Sequence, residues 1–196
     1  KIKDYMKIKL MVNISALQDS YSRIKNFINK TPILISDKLN HDFEASFYLK
    51  NEVEQVTGSF KIRGALSALS KLKENNVKGV VAYSSGNHAQ GVSKAAQIFD
   101  MDAIIVMPED APQNKIDKTI ANGAEVVLYK RHVESREEIA IKIADEKQYP
   151  LVKPFDNEDI IAGQGSFGLE ACEYFIQNNI SPNIVLSCTS GGGLVA

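Results

Sequence analysis

The sequence predicts an α/β protein built on a parallel sheet, and three observations carry the prediction. From Gly79 onward, short β-branched runs alternate with segments of helical periodicity. Boundary residues stand where such a chain needs them, with Pro112 opening one helical segment and Gly123 closing it. The helical segments have the length that right-handed βαβ crossovers require.

Taken in order, Ser15 followed by Gln18 reads as a capping box. Leu17, Tyr21, Ile24 and Ile28 then recur at helical spacing up to the stop at Thr31-Pro32. Ser46 to Lys50 reads as a strand, and Ile62, Ala65, Leu66, Leu69 and Leu72 mark a helix opening at about Lys61. The alternating region gives strand Gly79 to Tyr83, helix Ala89 to Phe99, strand Ala103 to Met107, helix Pro112 to Asn122, strand Glu125 to Tyr129 and helix Glu134 to Lys147. A loop after Leu151-Val152 leads to a helix from about Asp159, with Phe167, Ala171, Cys172 and Phe175 on one face, and then to a buried strand Ile184 to Cys188.

Composition excludes several classes. With 196 residues, 44% apolar and 24% charged, the chain is neither disordered nor fibrous, and its apolar runs are too short to span a bilayer. Twenty-three basic against twenty-four acidic side chains, without a basic stripe, give no sign of a nucleic-acid or membrane partner. Cys172 and Cys188 fit neither a disulfide framework nor a metal-ligand spacing, so no metal and a reducing, cytoplasmic compartment are expected. The chain opens on Lys1, and Gly191 to Ala196 begin an element that nothing follows. A fragment is therefore expected, with Met6 or Met11 as the natural start and Lys1 to Leu10 either non-native or an extension outside the fold.

Three segments carry chemistry. Thr57-Gly58-Ser59-Phe60-Lys61-Ile62-Arg63-Gly64-Ala65 places a lysine at a helix start, where the helix dipole disfavours the ammonium and lowers its pKa. An amine so placed can add to an aldehyde, although a surface lysine opening a helix gives the same local pattern. In Ser84-Ser85-Gly86-Asn87-His88-Ala89-Gln90-Gly91, a strand gives way to a helix, and backbone N–H groups and hydroxyls converge where an anion can bind. A serine-capped helix after a glycine turn is the alternative. Cys188-Thr189-Ser190-Gly191-Gly192-Gly193-Leu194 closes a strand with residues whose N–H groups can wrap a phosphate, as any strand-to-helix turn of small residues can. Gly163-Gln164-Gly165-Ser166-Phe167-Gly168 satisfies the dinucleotide fingerprint but lacks both a preceding strand and the acidic residue about twenty positions on. Close packing is the expected role of those glycines.

These segments, together with Pro154 to Gly165, resemble those of the fold-type II pyridoxal-phosphate (PLP) enzymes, in particular the threonine dehydratase and serine racemase family, in family order across roughly Ser15 to Ala196. The resemblance implies a tryptophan synthase β-like α/β fold with two parallel-sheet, three-layer domains, the larger one incomplete. Its boundaries would be 1–78 and 154–196 for the larger domain and 79–153 for the smaller βαβ domain between them. It implies PLP held by Lys61 as a Schiff base and contacted by Phe60, Asn87, Ser190, Gly191, Gly192, Gly193 and Leu194. Ser190 stands where the family usually has a first glycine. It implies Ser84, Ser85, Asn87 and His88 at the substrate carboxylate, with His88 acting through its backbone and Ser85 also the acid/base on the face opposite Lys61. Arg136 aligns with a residue that reaches the substrate carboxylate in racemase-like members, and its charged neighbours favour a solvated helix surface instead. The implied activity is α,β-elimination from L-threonine or L-serine to a 2-oxo acid and ammonia, within amino-acid metabolism such as isoleucine biosynthesis. A serine racemase-type activity and an inactive fragment are the alternatives, and the full-length protein is expected to be a homo-oligomer.

Overall fold

A computed structural model describes residues 12–189 and 191–195. Helix α1 (Ile14–Ile24) is capped by Asn13, whose side chain accepts from the Ala16 N–H at 3.0 Å. The cap therefore precedes the expected capping box at Ser15. The helix also stops well short of Thr31: Ile28 packs on the core from a turn, which is why its spacing mimics another helical turn. Three elements escape the sequence reading, strand β1 (Ile33–Ile35), helix α2 (Asp37–Phe43) and a 3-10 turn at Glu52–Glu54. Strand β2 (Tyr48–Lys50) is shorter than expected and pairs antiparallel with β1.

Helix α3 (Lys61–Glu74) begins at Lys61 as expected, and its periodic residues Ile62, Ala65, Leu66 and Leu69 are fully buried. The alternating region follows with β3 (Gly79–Tyr83), α4 (Asn87–Phe99), β4 (Asp102–Pro108), α5 (Gln113–Ala121), β5 (Glu125–Tyr129) and α6 (Arg136–Lys147). The three strands form a parallel sheet in the order β3-β4-β5. Leu151 adds a parallel bridge beside Val81. Side chains alternate across this sheet as a period of two requires. Val80, Ala82, Ile105 and Met107 join a core with α3, α4 and α5, while Val81, Tyr83, Ile104 and Val106 face Ala140 and Ala144 of α6.

Helix starts differ from expectation by a residue or two. Pro112 is the N-cap of α5 with φ −53° and ψ 127°, not its first helical residue, because its backbone is still extended. Ser135 caps α6 by accepting from the Glu138 N–H at 3.3 Å, so Glu134 lies outside, and α4 opens at Asn87 rather than Ala89.

Helix α7 (Glu158–Gln177) returns across α3. Its buried face is Ile160, Ile161, Ala162, Gly163, Gln164, Ser166 and Glu170, whereas Cys172 is exposed and Phe167, Ala171 and Phe175 are half-buried. Gly163 lets the two helices touch backbone to backbone. A Cβ there would lie 2.6 Å from Ser67 Cβ and 2.7 Å from Gly64 Cα. Gly165 makes similar room for Leu17, so two glycines of the apparent dinucleotide motif serve packing inside a helix.

A buried ionic cluster ties this crossing to the β1-β2 pair. Arg63, fully buried, donates to Glu52 at 2.7 and 2.8 Å, to Glu170 at 2.9 Å through each terminal nitrogen, and to Ser166 at 3.2 Å. Lys50 completes it, donating to Glu170 at 2.5 Å and to the Thr31 carbonyl at 2.6 Å. Burial opposes ionisation of Glu170, but the hydrogen bonds from Arg63 and Lys50 outweigh it and hold its carboxyl below the usual range.

The expected strand Ile184 to Cys188 is not formed. Val185 and Leu186 are each 83% exposed and in irregular backbone, because a strand needs a neighbour to pair with and the described residues supply none. The second parallel sheet is accordingly absent among the described residues. Lys1 to Leu10, Met11, Ser190 and Ala196 lie outside them, so the expectations about the natural start and about Ser190 stay where the sequence left them.

Candidate active site

Strand β3 of the parallel sheet sends its carboxyl end toward a cleft, as open α/β sheets do where they collect ligands. Strand β3 ends at Tyr83, and Ser84 to Gly86 turn the chain into α4. The Ser84 N–H is held by the Val106 carbonyl at 3.1 Å, and Ser84 Oγ accepts from the Gly86 N–H at 3.2 Å, which shapes the turn. The first residue of α3 and, from the C-terminal end, Cys188, Thr189, Gly191, Gly193 and Leu194 complete the lining. The cleft between them, about 340 Å³, is lined by Phe60 and Lys61, by Ser84 to His88, by Pro154 and Phe155, and by Cys188, Thr189, Gly191, Gly193 and Leu194. That volume suits a small molecule.

Lys61 Nζ points into this space and donates to the Pro154 carbonyl at 2.7 Å, with the Phe60 ring centroid 5.2 Å away. Burial lowers its pKa. The sequence reading expected the same direction from the helix dipole, and the structure adds desolvation as a cause.

His88 is buried, with Nε2 3.0 Å from the Val152 carbonyl and Nδ1 without a partner. Burial pushes its imidazole down to about 4, so the ring is neutral, and Nε2 carries the proton it donates to Val152. Asn87, the first residue of α4, accepts through Oδ1 from Lys115 Nζ at 3.0 Å, which leaves its amide N–H groups available.

The cleft thus gathers Phe60, Lys61, Ser84, Ser85, Asn87, His88, Gly191, Gly193 and Leu194 from the sequence-derived set. Gly192 has φ +85° and supplies the turn without lining the space. Arg136 is not brought there. Its guanidinium lies 5.1 Å from the Tyr83 ring centroid and bonds Glu137 at 3.0 Å, an arrangement of the α6 surface, as its charged neighbours indicated. Sequence reasoning missed Pro154 and Phe155 as cleft residues, although both lie in a segment it singled out. It also missed Lys115, whose position on α5 offers no local signal. Among the described residues, no group of three His, Cys, Asp or Glu side chains could hold a metal, and no helix is long and apolar enough to cross a membrane.

Comparison with known proteins follows the same lines. Residues 24–196 match the family model described as pyridoxal-phosphate dependent enzyme. The chain is 46% identical to the L-threo-3-hydroxyaspartate ammonia-lyase of Saccharomyces cerevisiae, over 79% of this chain and 48% of that protein. It is 40% identical to the serine racemase of Schizosaccharomyces pombe, over 89% of this chain and 53% of that one. Among solved structures it superposes on the threonine deaminase of T.th. with a TM-score of 0.86 and 43% identity, over 93% of this chain and 58% of that one. The chain spans about half the length of the curated relatives it matches. With the family model covering most of the chain and the solved relative sharing its architecture, this protein belongs to the pyridoxal-phosphate dependent enzymes of fold-type II, and its cofactor is PLP.

Proposed function

We propose that the protein is an ammonia-lyase acting on a β-hydroxy amino acid, converting L-threonine to 2-oxobutanoate and ammonia and L-serine to pyruvate and ammonia. What carries this reading is the convergence of one desolvated amine, Lys61, with a serine-rich helix-start loop and a glycine loop on a single cleft.

The residues fit PLP. Gly191 and Gly193 form a cradle a side chain would fill, since a Cβ on Gly191 would lie 2.5 Å from the Phe155 ring and one on Gly193 3.0 Å from Phe155 Cβ. Backbone N–H groups of Gly191, Gly192, Gly193 and Leu194 suit the phosphate, as would that of Ser190. Lys61 suits the aldehyde, and Phe60 flanks it. The amide N–H groups of Asn87, freed by the Lys115 bond to its oxygen, suit the ring hydroxyl. When bound, the cofactor supplies an electron sink for charge developing at the substrate Cα.

The chain's own residues do the rest. Ser84, Ser85 and the N–H groups at the start of α4, together with His88 through its backbone, hold the substrate carboxylate at the positive end of that helix. Burial disfavours the ammonium form of Lys61, which suits the amine to take the Cα proton on its own face. Ser85 handles a proton on the opposite face, the group a racemase-type reaction needs. Arg136 is left as a surface residue.

The same reading takes 1–78 and 154–196 as one domain around a βαβ unit at 79–153, supported by the packing of α3 on α7 across the intervening segment. It also takes the protein as cytoplasmic and homo-oligomeric, with a small amino acid as its partner and a place in amino-acid metabolism. Two free, exposed cysteines favour a reducing compartment, and the exposed apolar side chains Leu34, Ile35, Leu49 and Val53 favour association.

The test is direct. In the full-length protein, Lys61→Ala should abolish the visible absorbance of protein-bound PLP and the release of 2-oxo acid from threonine and serine. Borohydride reduction should fix the cofactor on Lys61 and on no other lysine. Near-normal turnover by Lys61→Ala would overturn the assignment. A wild-type protein that interconverts L- and D-serine faster than it releases pyruvate would replace lyase with racemase.

A further inference from the structure

The amide of Gln164 has no role in the reading above. The side chain is fully buried in α7, and neither Oε1 nor Nε2 has a hydrogen-bond partner. It runs from the helix that Lys61 opens to the glycine loop that lines the cleft. Its Cγ lies 3.1 Å from where a Cβ on Gly64 would stand, in the first turn of the helix that Lys61 opens. Its Oε1 lies 3.3 Å from where a Cβ on Gly193 would stand, in the glycine loop. A buried amide without partners is destabilising, whereas Met or Leu of similar volume would fill the same space at no such cost. Packing therefore does not account for a polar group here, and the loop is the neighbour able to supply its missing partners.

We propose that Gln164 is a positioning residue that seats the 191–193 loop for anion binding, its amide closing onto the loop backbone once a phosphate group draws the loop inward. Oε1 accepts from a loop N–H turned toward α7, and Nε2 donates to a loop carbonyl or to the anion. Closing the loop onto Gln164 satisfies its unpartnered amide, so loop seating and anion binding reinforce each other. This rests on the reading of the glycine loop as the phosphate cradle.

The experiment compares wild type with Gln164→Met and Gln164→Glu in the full-length protein. Three readouts are taken: the urea midpoint of the PLP-free form, the affinities for PLP and for inorganic phosphate, and hydrogen exchange of the Gly191 to Leu194 amides with and without phosphate. Gln164→Met should be at least as stable as wild type without PLP, yet bind PLP and phosphate roughly tenfold more weakly, the worth of one good hydrogen bond. Its loop amides should no longer slow when phosphate is added. Gln164→Glu should bind both anions more weakly still, because a carboxylate faces them. If Gln164→Met fails to fold, the isosteric Gln164→Glu decides by its loss of phosphate affinity. Wild-type affinity and wild-type slowing in the variants would overturn the proposal alone, as would a parallel loss of stability and affinity in Gln164→Met. Wild-type loop amides indifferent to phosphate would instead overturn the cradle reading, and this proposal with it.

Discussion

His88 illustrates what a single buried group contributes. Its folded pKa of about 4 lies below the ordinary 6.5, so between those values the unfolded chain binds a proton that the folded chain refuses. Stability from this residue is fully present above pH 6.5 and is lost as pH falls toward 4, by at most about 3 kcal/mol. Urea denaturation of wild type and His88→Gln from about pH 4 to 7 checks this. The wild type should show a one-proton slope in that window that the variant lacks, and equal slopes would sink the argument. Lys61 is shifted by the same force, burial, so the two groups that line the floor of the cleft are both biased toward neutrality.

The contact that aligns Lys61 is a property of two helices rather than of one residue. Where α3 crosses α7 the backbones meet at Gly64 and Gly163, leaving no room for a Cβ on either. Gly163→Ala should destabilise the protein by about 1–3 kcal/mol, since overpacking against backbone exceeds the gain in helix propensity. Gly168→Ala, in the same helix with open space at its Cβ position, should stabilise by up to about 1 kcal/mol. Thermal unfolding of the pair gives opposite signs if close approach is the reason for Gly163, and like signs if helix propensity alone governs both.

Across the whole molecule, Arg63 joins elements far apart in the chain. It binds Glu52 before α3 and Glu170 in α7, while Lys50 of β2 balances the second carboxylate. Removing the guanidinium would leave the nearly buried Glu52 without a cation and Glu170 with Lys50 alone. Arg63→Met should therefore cost about 3–5 kcal/mol, read from the urea midpoint of the full-length protein. A loss under about 1 kcal/mol would mean that water reaches the cluster. Because Arg63 lies two residues from Lys61, the same variant should loosen PLP binding.

The sequence by itself determined what depends on neighbours along the chain. The alternation from Gly79 to Lys147 gave each parallel strand and crossover helix to within a residue or two, because side-chain period and boundary residues are local properties. Lys61 at a helix start and the serine and glycine loops were legible for the same reason. Strands β1 and β2, of three residues each, were too short to show a period, so one was missed and the other overextended. Only the tertiary structure decided which residues share the cleft. It brought Pro154 to Lys61 and Lys115 to Asn87, left Arg136 on a helix surface, and buried Lys61 enough to lower its pKa. It likewise left 184–188 unpaired, because a strand is a relation between two segments and pattern in one of them does not supply the other.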